Sequence, residues 1–250
     1  MSTVIIALIC GIWYFLSDLD FGYTISETIG QPVIIGPILG ILMGDPEKGL
    51  LLGGTLELIY LGIIYPGGTV PADCSSAALI AIPIALSTGM SVESAVVLAV
   101  PFGLLGGLVY NLKYTVNSFF LHKADAFASK GNAKGLTRCA TIYPIIFTFL
   151  ITFPEIFIAN LVGPEAISGL LGSIPEWAMH GIEVAGGVLP AIGFAIAVIT
   201  IGKKELMAFF IVGYFAVVYF ELSIMGVAIF AVSIAMLLYY LNKDKQESEA

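Results

Sequence analysis

Long apolar stretches with few charges run through this chain and restrict it to a membrane environment. Only 11% of its 250 residues are charged and 58% are apolar, with a mean hydropathy of +1.00. Because an average soluble domain carries roughly a quarter charged residues, a soluble globular fold is nearly excluded. With about 20 residues per spanning helix, the length predicts about six to nine crossings. We therefore expect an all-α polytopic membrane protein in which residues 1–250 form a single transmembrane domain.

Charge and cysteine content exclude several functions. Ten Lys and Arg against 18 Asp and Glu give a net charge of −8, which argues against nucleic acid, whose phosphates need a basic surface. The three cysteines, Cys10, Cys74 and Cys139, are far apart and lack CxxC spacing, so neither a disulfide framework nor a zinc site is indicated. We expect no bound metal and no cofactor.

The distribution of positive charge predicts which loop faces the cytoplasm. Residues 113–138, read as a loop, hold half of the ten basic residues: Lys113, Lys123, Lys130, Lys134 and Arg138. The positive-inside rule assigns such a loop to the cytoplasm.

The N-terminal segment Thr3–Leu16 is apolar but short for a crossing. We expect that segment at the interface or against a partner, and the following Ser17–Glu27 in water.

Two short apolar runs flank a gap rich in proline and glycine. Gly49–Ile64 and Cys74–Thr88 are each too short for comfortable spanning. The gap between them, residues 65–73, contains two prolines and two glycines and cannot continue a helix. We interpret the region as a hairpin of half-helices with an unwound tip, which a membrane tolerates only beside protein or a water-filled cavity.

The hydropathy pattern repeats in the second half of the chain. A kinked span and a hairpin over 28–88 match a span and a hairpin over 184–241, with a charged turn after each span. When the membrane crossings are counted from the cytoplasmic basic loop, the two charged turns fall on opposite faces of the membrane. These repeat units are therefore predicted to be inverted. Inverted repeats with broken helices are typical of transporters that bind substrate near the midplane.

The hairpin carries the candidate substrate site. A lipid-facing carboxylate at Glu57, inside an apolar run, would cost about 2.5–3.5 kcal/mol or more, so it should face a cavity or a partner. Asp73 closes the gap before the second half-helix. Their neighbours add hydroxyls and free backbone groups without a fixed cation, which suits a neutral polyhydroxylated ligand such as a sugar. The predicted site comprises Thr55, Glu57, Gly67, Gly68, Thr69 and Asp73.

Less specific interpretations remain open for the same residues. Asp73 also fits a helix N-cap, and Glu57 a neutral or paired packing residue. Thr24–Glu27 and Gln31 could line the same cavity, but nothing specific marks them. An intramembrane enzyme with Glu57 and Asp73 as an acid/base pair is the main alternative, although two acids on opposite sides of a turn do not show the required convergence. A purely structural channel or receptor component is a third possibility.

Several sequence pieces together carry a family resemblance. The run Gly44-Asp45-Pro46-Glu47-Lys48-Gly49, then Gly53-Gly54-Thr55-Leu56-Glu57-Leu58 and a Gly-rich turn ending in Asp73, resembles enzyme IIC of bacterial phosphoenolpyruvate:sugar phosphotransferase systems (PTS) of the mannose-fructose-sorbose family. The likeness continues through Gly181-Ile182-Glu183-Val184-Ala185-Gly186-Gly187 to Met207-Ala208-Phe209-Phe210 and covers nearly the whole chain.

The resemblance implies a sugar-translocating subunit in the bacterial inner (cytoplasmic) membrane. Such subunits pair with a membrane subunit, enzyme IID, in a hetero-oligomer and work with soluble IIA and IIB. IIB performs the phosphoryl transfer, so this chain would not be an enzyme on its own and would have no catalytic residue. Glu57 and the turn from Gly67 to Asp73 match the family's sugar-site region. The implied substrate is a hexose-type sugar of the mannose, sorbose or N-acetylgalactosamine class.

Overall fold

The computed structural model describes residues 2–19, 23–61, 63, 70–171, 175–203 and 206–248, and helices dominate these ranges, which contain no strand. The helices are α1 Thr3–Ser17, α2 Tyr23–Ile29, α3 Pro32–Met43, α4 Pro46–Tyr60, α5 Cys74–Thr88, α6 Val92–Ala128, α7 Ala133–Thr137, α8 Tyr143–Leu171, α9 Glu176–Ile201, α10 Met207–Phe220 and α11 Ile224–Ser248. A π-helical turn joins α7 to α8. The predicted all-α fold with broken helices and hairpins is confirmed.

Membrane character is visible in the helices themselves. Among the described residues, Val92–Ala128 and Ala133–Ala166 are long and apolar enough to cross a membrane, with hydropathies of 2.0 and 2.1. Several shorter apolar helices accompany them. The chain divides into two compact units, Met1–Val198 and Ile199–Ala250. The single transmembrane domain and the inverted repeat of 28–88 and 184–241 concern both units together and stay predictions.

Glycines let α3 and α4 pack backbone against backbone. Asp45 caps α4 by accepting from the Lys48 amide at 3.0 Å, and Gly44 ends α3 in the left-handed conformation, with φ 90°. A Cβ on Gly49 would lie 2.5 Å from the Gly36 carbonyl oxygen. Only glycine permits this approach, so the two helices form one tight hairpin.

Two adjacent glycines of α4 provide a matched test of this packing. A Cβ at Gly53 would meet the Pro32 carbonyl oxygen at 2.5 Å, whereas a Cβ at Gly54 would meet nothing within 4 Å. We expect Gly53→Ala to destabilise the protein by about 1–3 kcal/mol through overpacking. Gly54→Ala should be neutral or stabilising by up to about 1 kcal/mol, because alanine favours helix. Thermal denaturation of the purified variants measures both, and equal midpoints would contradict the backbone contact.

Helix α5 forms the centre of the first unit. Its residues from Ala77 to Ala85 are almost completely buried. Pro83 has no amide hydrogen and so leaves the Leu79 carbonyl without its helical donor. The Asn160 side chain of α8 donates to that carbonyl at 2.9 Å. A polar residue on the neighbouring helix thus compensates the proline inside this buried helix.

Helix α1 belongs to the same core. Ile6, Cys10 and Tyr14 are buried, on a face that packs against α8 and α5. The opposite face of α1 exposes Ile5, Leu8 and Ile12, so the expected interfacial or partner-facing position of this helix stays a prediction. The next stretch meets its expected exposure to water only in part: Asp18 and Ser26 are largely shielded from solvent, whereas Thr24 and Glu27 are exposed.

Helix α6 extends well into the region expected to be a loop. Residues 113–128 of the predicted basic loop 113–138 are helical, and a short α7 follows. Lys113 is only 4% exposed. Its charge is used inside the protein, whereas the cytoplasmic location of the remaining basic residues stays a prediction.

The second unit contains the predicted hairpin near the C-terminus. Helices α10 and α11 are connected by residues 221–223. Glu221 ends α10 in the left-handed region, with φ 51°. The break between α10 and α11 lies within the range 184–241, for which the sequence predicts a span and a hairpin.

Candidate functional site

A cavity of about 280 Å³ lies where α1, the α2–α3 junction, the start of α5 and the middle of α6 meet. We call it the chamber. Pockets for drug-sized ligands begin at about 300 Å³, so this volume suits one small molecule such as a monosaccharide. The lining consists of Tyr14, Ser17, Asp18, Ser26, Glu27, Gly30, Gln31, Val70, Asp73, Cys74, Ser75, Tyr110 and Tyr114.

A break between α2 and α3 supplies part of this lining. Pro32 begins α3, and Gly30 and Gln31 before it are not helical. The Trp13 indole donates to the Ile29 carbonyl at 2.8 Å, and the Ser75 hydroxyl donates to the Gly30 carbonyl at 2.8 Å. These bonds hold non-helical backbone in place inside the protein, as a membrane requires.

Asp73 is the best-connected carboxylate of the chamber. Its Oδ2 accepts from the Tyr14 hydroxyl at 2.6 Å, and its Oδ1 accepts from the Ser75 amide at 2.7 Å and the Ser76 amide at 3.3 Å. Its own amide donates to the Gly103 carbonyl at 2.8 Å. The N-cap interpretation is confirmed. The Asp73 side chain links α1 and α5, and its backbone amide adds α6 at the chamber wall.

Helix α6 holds the end of the proline and glycine gap. The Asn111 side chain donates to the Val70 carbonyl at 3.0 Å and accepts from the Val70 amide at 3.2 Å. A Cβ on Gly107 would lie 2.8 Å from that carbonyl oxygen, and one on Gly106 would lie 2.5 Å from Ser76 Cβ. These two glycines therefore let α6 pack closely against the end of the gap and against α5.

A buried ion pair lies beside the chamber. Lys113 Nζ bonds to Asp18 Oδ1, and the two side chains are 5% and 7% exposed. The ammonium also lies 4.6 Å from the Tyr110 ring centre and 5.3 Å from that of Tyr114. Because this cation compensates Asp18, the negative charge left in the lining comes from Glu27 and Asp73.

Two polar side chains of the lining keep hydrogen-bonding capacity for a ligand. Glu27 is exposed and makes no hydrogen bond to the described residues. The Gln31 side-chain oxygen Oε1 has only the Cys74 thiol, at 4.0 Å, as a hydrogen-bond partner among the described residues. The sequence allowed Glu27 and Gln31 as lining residues of a cavity, and both line the chamber.

The predicted site residues do not all meet. Asp73 lines the chamber, but Glu57 and Thr55 are not in its lining. Glu57 Oε2 instead accepts from the Val33 amide at 3.2 Å, in the first turn of α3, and the Thr55 hydroxyl donates to a carbonyl of its own helix. Residues 67–69, namely Gly67, Gly68 and Thr69, lie outside the described residues. Roles for these five in substrate binding stay predictions.

The acid/base alternative gains nothing from this arrangement. Glu57 and Asp73 each bond to the start of a different helix. Only Asp73 lines the chamber, so the described residues give the two carboxylates no common substrate cavity.

Residues missed at the sequence level complete the site. Tyr14 bonds to Asp73, Asn111 holds Val70, and Lys113 compensates Asp18. All three partners are far away in the sequence, which is why no local motif marked them.

Comparison with known proteins gives a consistent picture. A family model described as the PTS system sorbose-specific IIC component matches residues 4–237. The N-acetylgalactosamine permease IIC component 1 of Escherichia coli (strain K12) is 31% identical over 88% of this chain and 82% of its own length. The sorbose-specific EIIC component of Lacticaseibacillus casei is 30% identical over 97% of this chain and 87% of its own.

Solved structures share the fold. A structure titled as a membrane protein has a TM-score of 0.77 at 23% identity and covers 95% of both chains. A cryoEM structure of the mannose transporter ManYZ with microcin E492 has a TM-score of 0.52 at 25% identity, over 95% of this chain and 93% of its own. The relatives are named as permease or PTS components, and none of these names supports the acid/base alternative.

Proposed function

This chain belongs to the family of PTS sorbose-specific IIC components, and from that premise we propose that it binds one hexose-type sugar in the chamber. The sugar then passes to a phosphoryl donor subunit in the cytoplasm. One observation carries the proposal: a cavity of about 280 Å³ combines three carboxylates, one of them paired with Lys113, with a glutamine amide and the backbone of a broken helix.

The chemistry of the lining suits a polyhydroxylated ligand. A sugar hydroxyl donates and accepts, the carboxylates of Glu27 and Asp73 accept, and the Gln31 amide does both. Tyr110 and Tyr114 add aromatic surface at the same cavity. A neutral sugar fits here better than an anion, because Asp18 already uses the buried cation Lys113.

The proposed substrate is a sugar of the mannose, sorbose or N-acetylgalactosamine class. Relatives named for N-acetylgalactosamine and for sorbose are 31% and 30% identical to this chain. A change of one substituent is distinguished by pocket shape and is worth about 1–3 kcal/mol. Direct measurement with several sugars therefore decides among these classes.

We further propose the assembly in which the subunit works. Enzyme IID is its membrane partner in a hetero-oligomer, and IIA and IIB carry the phosphoryl group. The similarity to the mannose transporter ManYZ supports a partner in the membrane. The location is the bacterial inner membrane, crossed several times, with the basic residues after α6 on the cytoplasmic side.

Glu57 remains a proposed site residue because of its contact with the start of α3, although it does not line the chamber. Its carboxylate holds the Val33 amide in the first turn of α3, and Gln31 of the lining directly precedes that helix. Thr55 and residues 67–69 also remain proposed members, as part of the hairpin that ends at Asp73.

Two substitutions test the chamber directly. Glu27→Gln and Gln31→Ala should each raise the KM for uptake about tenfold, because each removes hydrogen bonds to the sugar. The measurement is uptake of labelled mannose, fructose, sorbose and N-acetylgalactosamine by cells that express the chain with its IIA, IIB and IID subunits. Glu47→Gln, at an exposed residue outside the lining, is the matched control.

The outcomes are distinct. Wild-type cells should accumulate at least one of the four sugars. If none is taken up by cells containing all subunits, the proposed substrate class fails. If uptake occurs but both chamber variants keep the wild-type KM, the sugar binds elsewhere.

A further inference from the structure

A second cavity is separate from the chamber and shares none of its lining residues. This rear groove has a volume of about 370 Å³ and lies between α5, α6 and α8, with the lining Ile80, Phe102, Leu105, Ile151, Pro154, Glu155, Ile158 and Ala159. Glu155 is the one ionisable residue of this lining and lies in the middle of α8. An ionisable residue inside a membrane is energetically costly and is usually functional.

A short chain of hydrogen bonds joins Glu155 to the chamber. The Ser76 hydroxyl donates to Glu155 Oε1 at 3.2 Å. The amide of the same Ser76 donates to Asp73 Oδ1 at 3.3 Å. One residue therefore connects the carboxylate of the rear groove with the carboxylate of the chamber wall.

The connecting residue has little room to move. Ser76 is completely buried, and Gly106 of α6 packs so closely that a Cβ there would lie 2.7 Å from Ser76 Oγ. A second acceptor, the Phe102 carbonyl, lies 3.4 Å from the hydroxyl. A change at Glu155 acts first on the Ser76 hydroxyl, and the Ser76 amide is the contact through which it can reach the Asp73 carboxylate.

Packing alone does not account for a carboxylate at this point. Glu155 Oε2 is buried and has no hydrogen-bond partner among the described residues. An apolar side chain of similar size would avoid that desolvation cost. The arrangement is understandable if the acceptor at Oε1 is needed for the residue that it holds.

We propose that Glu155 is a positioning residue of the sugar site, which orients Asp73 through Ser76. The inference rests on the proposed function, since Asp73 is taken as a wall of the sugar chamber. Glu155 itself does not line the chamber, so it acts on affinity indirectly.

The test compares two replacements of Glu155. Glu155→Leu removes the acceptor and should raise the KM for the transported sugar about tenfold, with the maximal rate and membrane abundance close to wild type. Glu155→Gln keeps an oxygen acceptor and should restore the KM to within about twofold. Glu165→Leu is the matched control, because Glu165 is an exposed glutamate on the same helix.

A double substitution separates positioning from general packing. Ser76→Ala alone should raise the KM as Glu155→Leu does, and the two together should have no larger effect than either, because both break one chain. Should Glu155→Leu fail to accumulate, Ser76→Ala carries the test. The proposal is overturned if the effects of the two substitutions on the KM combine in full in the double variant. It is also overturned if both single variants keep the wild-type KM.

Two other results have separate meanings. If Glu155→Leu lowers recovery of the IID partner at unchanged KM, the rear groove is a partner contact and the positioning role is refuted. If Glu27→Gln and Gln31→Ala raise the KM while Glu155→Leu does not, only this inference fails. The proposed sugar chamber then stands.

Discussion

Asp73→Ala is expected to abolish sugar accumulation and to lower the stability of the protein. The substitution removes the cap of α5, which is worth about 1 kcal/mol. It also leaves the Tyr14 hydroxyl, which donates to Asp73 at 2.6 Å, buried without its acceptor, at a further cost of about 1–3 kcal/mol. Thermal denaturation of the purified protein and uptake with the four-sugar panel measure the two effects.

Asp73→Asn separates the proposed role of Asp73 in the sugar site from its role as the N-cap of α5. Asparagine caps helices about as well as aspartate, and its NH2 group can donate to the Tyr14 hydroxyl oxygen, so we expect a smaller loss of stability than in Asp73→Ala. The loss of negative charge should still raise the KM at least tenfold, equivalent to about 1.4 kcal/mol. Tyr14→Phe is the control that removes a single hydrogen bond to Asp73. A wild-type KM in the asparagine variant would leave Asp73 a structural cap only.

The start of α5 could be predicted because its signals are local. An aspartate directly after a proline and glycine gap and before an apolar run is a helix N-cap in sequence. The structure begins α5 at Cys74 with Asp73 as the cap, as the sequence indicated. Short-range rules decide such a boundary, and tertiary contacts do not change it.

The membership of the site could be predicted only in part. Glu57 and Asp73 flank the same gap in sequence, but the start of α3 lies against Glu57 and uses its carboxylate. The Tyr14 to Asp73 bond joins residues 59 positions apart. Sequence spacing carries no information on such contacts, so it identified Asp73 and missed the tyrosine.

The predicted position of Lys113 in a basic loop differs from its buried position in α6 for another reason. The positive-inside rule counts every basic residue near a span, whether it is exposed or paired. Tyr110, Lys113 and Tyr114 share one face of a helix, and that pattern could have indicated an enclosed cation. Its partner Asp18 is 95 positions away, however, and no local signal reveals the pair.

Lys113→Met is expected to destabilise the protein by about 3–5 kcal/mol, because it leaves a buried carboxylate without its cation. The Lys113 and Asp18 side chains are 5% and 7% exposed, so water replaces the lost partner only in part. For a chain of this size the midpoint of thermal denaturation should fall by on the order of 10 °C. Uptake should fall as well, since Asp18 lines the chamber.

The double variant Asp18→Asn with Lys113→Met identifies the cause of that loss. Replacing both members of a buried pair by neutral residues is often neutral or stabilising, so the midpoint should recover most of the difference. Lys123→Met is the matched control, because Lys123 is an exposed lysine of the same helix and should leave the midpoint unchanged. A double variant no more stable than Lys113→Met would mean that the lysine stabilises the fold through its tyrosine contacts rather than through Asp18.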